Sequence, residues 1–414
     1  MNNLKNDLSW RNLLKEIANE ENFDKLVSEK ASFYIGIDPT SDSMHVGHYM
    51  TIALSKVLNN HGLKPVFVIG GFTGSIGDPS GKNSEREVVD TEEIKNNSDA
   101  LRKQLSEIAD KAEIKDYKII NNLDFYSQMS IVELFQKYGK HFNVNTMLGR
   151  EMVKNRLETG ISFTEFAYQM FQAIDFLELY KEHGVSIQIG GSDQWGNIAS
   201  GLELIRKVEG HDSVISGMTV NLITDENGNK IGKTNGRPIW LDSKKTSSYE
   251  MFQYFINLTD ETSKNLLSAL TNITEEEFNA KTKDHEANPR ARVMQNELAK
   301  RMMAIIHPGD YDECVEASKI LFEERYFDLN ENQINSLLGG IPSLEKEGET
   351  ISDYIINSGS LKSKRELREF IDSGAIKLNG NPITEEQSIT EQDFIKGKVA
   401  FINVGKKNKY IIWK

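Results

Sequence analysis

Cysteine is almost missing from this 414-residue chain: Cys314 is the only one. A single thiol excludes an internal disulfide and any zinc site built from cysteines. Long apolar runs are missing too, since no stretch approaches the roughly 20 residues a spanning helix needs. The opening stretch MNNLKNDLSWRNLLKEIANEENFDKL has charges every few residues and no apolar h-region, so no signal peptide is expected. A cytoplasmic protein without a membrane partner is the expectation. Positive charge is in deficit, with a formal net charge of −13, which argues against a general nucleic-acid coat. There is no internal repeat and no low-complexity segment. The remaining composition, 38% hydrophobic and 27% charged, is that of a soluble globular chain. Its length exceeds one ordinary core and predicts two or three domains.

The charge is uneven. Residues 361–414 hold 11 Lys and Arg against 7 Asp and Glu, so this tail is basic on an acidic body. Local contact with a polyanion would explain the tail. A merely solvated basic surface explains the charge equally well.

The stretch Phe33 to His48, FYIGIDPTSDSMHVGH, organises the rest. Alternating apolar residues at 34–37 suit a strand. Asp38-Pro39-Thr40 breaks it, and a helical pattern follows from about Met44. A strand turning into a helix start presents unpaired N–H groups and a partial positive charge, a setting for phosphate. His45 and His48 share one face of that first turn, and Gly47 leaves room for close approach to the backbone. Residue types alone also allow a capped helix with two surface histidines.

Residues 1–30 read as an amphipathic helix. KPVFVIGG (64–71) is a buried-strand pattern leading into FTGSIGDPSGKNSER, a glycine-bearing loop with Lys82 and Arg86. Residues 91–113 form a charged helix, and 118–121 are a strand candidate. Strands alternating with helices predict a parallel sheet covered on both faces. Ligands then sit beyond the strands' carboxyl ends, where both loops fall.

Residues 130–181 read as mostly helical. Within them FAYQMFQAIDFLELY (166–180) is apolar nearly all round, yet Tyr168, Gln172 and Asp175 fall at i, i+4 and i+7. A buried carboxylate needs partners, so this polar stripe meets either protein groups or a polar ligand. VSIQIGGSDQW (185–195) is another strand, closing on Gly190-Gly191, and MTVNLIT (218–224) a further one. A turn then leads to Lys230-Ile231-Gly232-Lys233-Thr234. Two lysines and a threonine in a glycine-bearing loop can grip phosphates, although the GxxxxGK[ST] spacing is absent. Taken alone, this loop reads as a solvated, flexible one sooner than as a phosphate grip. Residues 246–324 are helical without a strand. Gly339-Gly340-Ile341-Pro342 reads as a linker. The helix LKSKRELREFIDSG and the strands AIKLNG, KVAFINV and KYIIWK make a small α+β module.

Taken together, the motifs resemble those of bacterial tyrosyl-tRNA synthetases, which are class I aminoacyl-tRNA synthetases. His45-Val46-Gly47-His48 is similar to the HIGH signature. Lys230-Ile231-Gly232-Lys233-Thr234 is similar to the KMSKS loop in its tyrosyl form. YIGIDPT (34–40) and QIGGSDQWGNI (188–198) add specificity, and the likeness runs nearly end to end.

The resemblance implies an α/β fold. A Rossmann-like parallel-sheet catalytic domain would span 1–224, with a helical dimer-interface insertion at about 130–165. The lysine loop and an α-helical domain would follow over 225–330, then a linker at 331–350. An RNA-binding module like one in a ribosomal small-subunit protein would occupy 351–414. The implied reaction joins L-tyrosine and ATP as tyrosyl-adenylate and passes the tyrosyl group to tRNA(Tyr). ATP enters as a substrate with Mg2+ as its counterion, and no protein-bound metal site is expected. A homodimer is implied, with the tRNA bridging its subunits.

A carboxylate nucleophile needs no general base, and no nucleophile–base pair stands out. Positioning and charge would carry catalysis, from Thr40, His45, His48, Lys82, Arg86, Lys230, Lys233 and Thr234. By resemblance, Tyr34 and Asp175 would hold the substrate phenol. Asp78, Tyr168 and Gln172 would take its ammonium, and Gln194 would lie beside its carboxylate. Gly36, Asp38, Gly47, His48, Gly191, Asp193 and Lys233 would line the ATP side. Lys364, Arg365, Arg368, Lys406, Lys407 and Lys409 would meet tRNA phosphates. A tryptophanyl enzyme shares this body plan, and the Tyr34/Asp175 pair and C-terminal module disfavour it. A non-catalytic RNA-binding relative is disfavoured by the intact histidines, lysines and Asp78.

Overall fold

A computed structural model describes residues 3–80, 90–158, 160–226, 228–229, 231–234, 236–337, 339–405 and 408–414. Its main sheet has the order β1-β6-β5-β2-β3-β4. The strands are β1 (Leu14–Ala18), β2 (Ser32–Ile37), β3 (Lys64–Ile69), β4 (Lys118–Asn121), β5 (Val185–Gly191) and β6 (Ser216–Val220). β2 to β6 run parallel, and β1 closes one edge antiparallel to β6. Near-continuous apolar runs such as PVFVI in β3 are what a sheet buried on both faces needs. The chain winds outward from β2 through β3 to β4, then returns to β5 on β2's other side. That reversal opens a crevice at the carboxyl ends of β2 and β5.

The N-terminal stretch differs from the single helix expected. Helix α1 (Asn3–Trp10) ends at Asn12, which is left-handed at φ 57°, and the chain then runs as β1. A second left-handed residue, Asn19, caps helix α2 (Glu20–Ser28) with its side chain. Asparagine tolerates this conformation better than most residues, so two asparagines cut the helical pattern and admit an edge strand. β6 also begins and ends earlier than the 218–224 pattern suggested. Helix α3 (Val46–Asn60) starts at the His45 cap, as the motif implied.

Between β4 and β5 the chain makes short helical turns before one long helix, Phe163–His183. Ser162 caps its start and left-handed Gly184 ends it. Its inner face carries Ala173, Ile174, Phe176 and Leu177 into the core against β5 and the Trp195–Glu209 helix. The preceding turns and the first residue of the long helix leave large apolar side chains in water, notably Ile131 (76% exposed), Val132 (62%) and Phe163 (72%).

Contacts group the described chain into two units, 1–242 with 259–294, and 243–258 with 295–414. The 259–294 stretch joins the first unit partly through Arg11. Its guanidinium donates to the carbonyls of Ser268, Thr271 and Ile273 at 2.8–2.9 Å.

In the second unit, helices Ser248–Ile256 and Tyr311–Phe322 pack together. Its last part is a four-stranded sheet of order β10-β9-β11-β12: β9 (Ile376–Leu378), β10 (Asn381–Pro382), β11 (Val399–Val404) and β12 (Asn408–Trp413). Residues 331–350, which read as a linker, carry the helix Glu331–Ser336 and bury Ile334, Leu337 and Leu344. Leu344 N–H donates to the Ile411 carbonyl at 2.8 Å. The sheet is fastened to the end of the Tyr311–Phe322 helix. Glu324 accepts from Lys377 Nζ at 2.7 Å and Asn403 Nδ2 at 2.8 Å, and Tyr326 Oη donates to Asn403 Oδ1 at 2.7 Å.

Candidate active site

Two adjoining clefts of about 340 and 580 Å³ open at the crevice between β2 and β5. Ile35, Thr40, His48, Thr51, Gly190 and Gly191 line both, so they form one continuous site.

The smaller cleft is a polar slot. Tyr34, Gly36, Asp38, Thr40, Asp78, Tyr168, Gln172, Asp175, Gly191, Asp193 and Gln194 all line it. The i, i+4, i+7 stripe therefore faces a cavity. Tyr34 is fully buried with its hydroxyl 3.5 Å from the Gln172 carbonyl, too long for a strong bond. Burial, reinforced by the Asp175 charge, pushes its phenol well above the usual range. Tyr168 Oη donates to Asp38 Oδ2 at 3.1 Å. Gln194 Nε2 donates to Asp78 Oδ2 at 2.7 Å, and Asp78 also caps the Ser80 N–H at 2.9 Å. Four acidic side chains, from Asp38, Asp78, Asp175 and Asp193, thus line one slot, an environment for a cation or a hydrogen-bond donor.

Asp175 is buried. Its Oδ2 accepts from Asn122 Nδ2 at 2.9 Å and its Oδ1 from Tyr126 Oη at 2.8 Å. Burial outweighs those two donors and pushes its carboxyl up to about 7. Sequence reasoning missed Asn122, Tyr126 and Thr73. Asn122 follows β4 directly, and its position at a strand's carboxyl end was the available signal. It also donates to Thr73 Oγ1 at 2.9 Å, and Thr73 in turn donates to Asp38 Oδ1 at 3.0 Å. Nothing in the sequence pattern marked Tyr126.

The larger cleft is lined by His45, Gly47, His48, Lys233, Pro238 and Trp240, among others. A hairpin of β7 (Lys233–Thr234) and β8 (Arg237–Pro238) brings the lysine motif there. Val46 N–H donates to the Ile239 carbonyl at 2.9 Å, and Leu241 N–H to the Met44 carbonyl at 2.8 Å. His45 and Trp240 form a bridge between these bonds. The start of the histidine motif is therefore joined backbone to backbone to residues 239–241, which directly follow the lysine hairpin. Close approach explains two glycines. A side chain at Gly47 would meet the His45 ring at 2.8 Å and the Ile231 carbonyl at 3.2 Å. Gly232 has φ +88°, and a Cβ there would lie 2.6 Å from the Gly47 nitrogen.

His45 caps α3 by accepting from His48 N–H at 3.3 Å, and His48 Nδ1 accepts from His45 N–H at 3.4 Å. Burial lowers both histidines, with the Lys233 charge adding to the effect on His45; His48 falls to about 3. With Nδ1 accepting in each, a neutral ring keeps its Nε2–H as the one remaining donor. Lys233 and Thr234 are exposed at the mouth. Lys82, Arg86 and Lys230 lie outside the described residues, as do Lys406 and Lys407.

The basic residues of the C-terminal part are placed differently from one another. Lys364, Arg365 and Arg368 lie exposed on the Lys364–Asp372 helix. Arg365 pairs with Glu369 at 3.1 Å and Arg368 with Glu385 at 2.9 Å. Lys409 turns its ammonium inward, to the Leu321 carbonyl and over the Tyr326 ring.

The profile of tRNA synthetases class I (W and Y) matches residues 26–322, and that of the tyrosine–tRNA ligase SYY-like C-terminal domain matches 333–412. Fold and site together thus define a class I aminoacyl-tRNA synthetase of the tryptophan and tyrosine type. Tyrosine–tRNA ligase 2 of a Bacillus cereus strain is 39% identical over 99% of both chains. Tyrosine–tRNA ligase of Limosilactobacillus reuteri is 39% identical over 98% of both. A C-terminally truncated mitochondrial tyrosyl-tRNA synthetase from Aspergillus nidulans superposes with a TM-score of 0.70 at 28% identity, covering 77% of this chain and 94% of that one. The chain belongs to the bacterial tyrosyl-tRNA synthetase family.

Proposed function

We propose that the chain activates L-tyrosine with ATP, releasing pyrophosphate, and transfers the tyrosyl group from the adenylate to the 3′ end of tRNA(Tyr). The observation that carries this reading is one cleft with a buried Tyr34/Asp175 end and a mouth where the His45–His48 turn meets the Lys233 hairpin. Tyrosine fits the slot with its phenol donating to Asp175 and accepting from Tyr34. Asp78, Tyr168 and Gln172 face its ammonium, and Gln194 its carboxylate. ATP occupies the wider lobe, with Gly36, Asp38, Gly47, His48, Gly191 and Asp193 around its nucleoside end. Thr40, His45, Lys82, Arg86, Lys230, Lys233 and Thr234 meet the phosphates, and Mg2+ arrives with them.

The substrate carboxylate attacks the α-phosphorus, and the bond from that phosphorus to the bridging oxygen of pyrophosphate breaks. Negative charge moves onto the leaving oxygens, where neutral imidazole N–H groups and lysines stabilise it. No proton needs removing from the nucleophile, in keeping with two histidines held neutral.

Residues 1–224, with the lysine loop that follows them, would carry the activation chemistry. The 225–330 and 351–414 regions would hold tRNA, with Lys364, Arg365 and Arg368 offered to its phosphates. Two copies would pair through the apolar turns between 130 and 165, and the cytoplasm suits a chain with one thiol. Single-turnover adenylate formation tests the catalytic assignment. His45→Ala and Lys233→Ala should each slow it by one to three orders of magnitude, at about 1.4 kcal/mol per order. Rates near wild type would refute the assignment.

A further inference from the structure

In the proposed function Asp175 selects the amino acid, and the present inference rests on that reading. Of the two side chains that donate to Asp175, Asn122 lines the slot and Tyr126 lies outside its lining. Tyr126 is 9% exposed, on the short helical turn after β4. Its ring stacks on Phe72 (centroids 3.9 Å apart, planes 21°) and meets Phe171 edge-on at 5.8 Å. Two aromatic contacts therefore fix where its hydroxyl points.

That hydroxyl has one proton and two acceptors, the Phe171 carbonyl and Asp175 Oδ1, both at 2.8 Å. Phe171 lies four residues before Asp175 on the long helix, so its carbonyl is already the acceptor for the Asp175 amide. A carboxylate is the stronger acceptor, so the Tyr126 hydroxyl keeps its proton and donates it to Asp175 Oδ1. Asn122 occupies Oδ2 and Tyr126 occupies Oδ1, which leaves each oxygen a lone pair for the slot.

We propose that Tyr126 is a positioning residue for amino-acid selection: its hydroxyl holds Asp175 aimed and ionised so that the carboxylate accepts the substrate phenol. The groups facing Asp175 are Tyr34 from β2, Asp38 from the loop after it, Glu178 and Tyr168 from its own helix, and Asn122 and Tyr126 from the turn after β4. The charged members are carboxylates, which favour a proton on Asp175. The neutral donors Asn122 and Tyr126 oppose them. Loss of the Tyr126 hydroxyl would let Asp175 keep a proton to higher pH, and a protonated Asp175 would donate to the slot instead of accepting. Phenylalanine has no phenol and would not sense the change.

Pyrophosphate exchange tests this, with tyrosine and with phenylalanine across pH 5.5–9 on wild type, Tyr126→Phe and Tyr126→Leu. In both variants KM for tyrosine should rise about tenfold, with kcat within about twofold of wild type. The acid-side rise of that KM should begin at higher pH, and KM for phenylalanine should not move. Circular dichroism and thermal unfolding report whether each variant is folded. A tyrosine KM and pH profile unchanged in Tyr126→Phe, or a change in Tyr126→Leu alone, would overturn the proposal and leave Tyr126 a packing residue. Absence of tyrosine-dependent exchange in the wild type would instead overturn the reading of the site, and this inference with it.

Discussion

The imidazole rings of His45 and His48 stack face to face, 3.9 Å between centroids and 12° apart in plane. Each ring's Nδ1 accepts a backbone N–H from the other residue, which an imidazolium could not do.

The pair is therefore expected to resist protonation at a cost to acid stability. His48 has a folded pKa of about 3 against an ordinary value near 6.5. Between those values the unfolded chain binds the extra proton, so stability falls as pH falls from about 6.5. His48→Asn should flatten that decline by at most about 1.4 kcal/mol per pH unit. Urea unfolding from pH 7 to pH 4 measures it, and equal slopes for variant and wild type would refute it.

Asp175 makes the opposite contribution. Its folded pKa is raised to about 7 from 3.8, so the folded state holds a proton the unfolded state has lost. The stabilisation is complete below about pH 3.8 and is lost as pH rises through 7. Asp175→Asn should therefore be more stable than wild type at pH 8, by about 1–2 kcal/mol, with no difference near pH 3.5. It should also lose tyrosine activity while altering phenylalanine activity much less. Denaturant midpoints at the two pH values, with exchange assays alongside, check both statements.

Gly232 is expected to be needed for catalysis more than for folding. An alanine there faces a left-handed backbone and a fixed Gly47 nitrogen at 2.6 Å. The hairpin must then leave the start of α3, taking Lys233 with it. Gly232→Ala should lower kcat for adenylate formation about a hundredfold, with thermal unfolding nearly unchanged. A large fall in melting temperature with retained kcat would contradict this.

Glu324 and Tyr326 fix the C-terminal sheet to the helix before it through Lys377 and Asn403. Glu324→Ala should raise KM for tRNA in charging while pyrophosphate exchange stays at the wild-type rate. Limited proteolysis should cut the variant faster between residues 330 and 350. Identical charging and cleavage would mean that these bonds do not hold the sheet in place.

The exposed side chains of Ile131, Val132 and Phe163 form the apolar surface proposed for pairing. Phe163→Asp should shift sedimentation from dimer toward monomer at micromolar concentration. A dimer of unchanged affinity would locate the interface elsewhere.

Much of this site was legible because chemistry and periodicity coincided. Tyr168, Gln172 and Asp175 stood out as a polar stripe on an apolar helix, and Gly190-Gly191 as a strand end. The histidine and lysine motifs carried their own spacing. Other parts lacked a local signal. Asn12 and Asn19 set the edges of β1 through backbone conformation, which no apolar period marks. Asn122 and Tyr126 act through contacts some 50 residues along the chain, so only the fold unites them with Asp175. Lys409 read as a surface cation, and its inward turn depends on a carbonyl and a ring contributed by residues 321 and 326.

Isotopic exchange of pyrophosphate into ATP, measured with tyrosine, phenylalanine and tryptophan in turn, tests the proposed activity most directly. Rapid exchange with tyrosine, weak exchange with phenylalanine and none with tryptophan is the expected result. Exchange without any amino acid, or exchange that tryptophan supports as well as tyrosine, would contradict it.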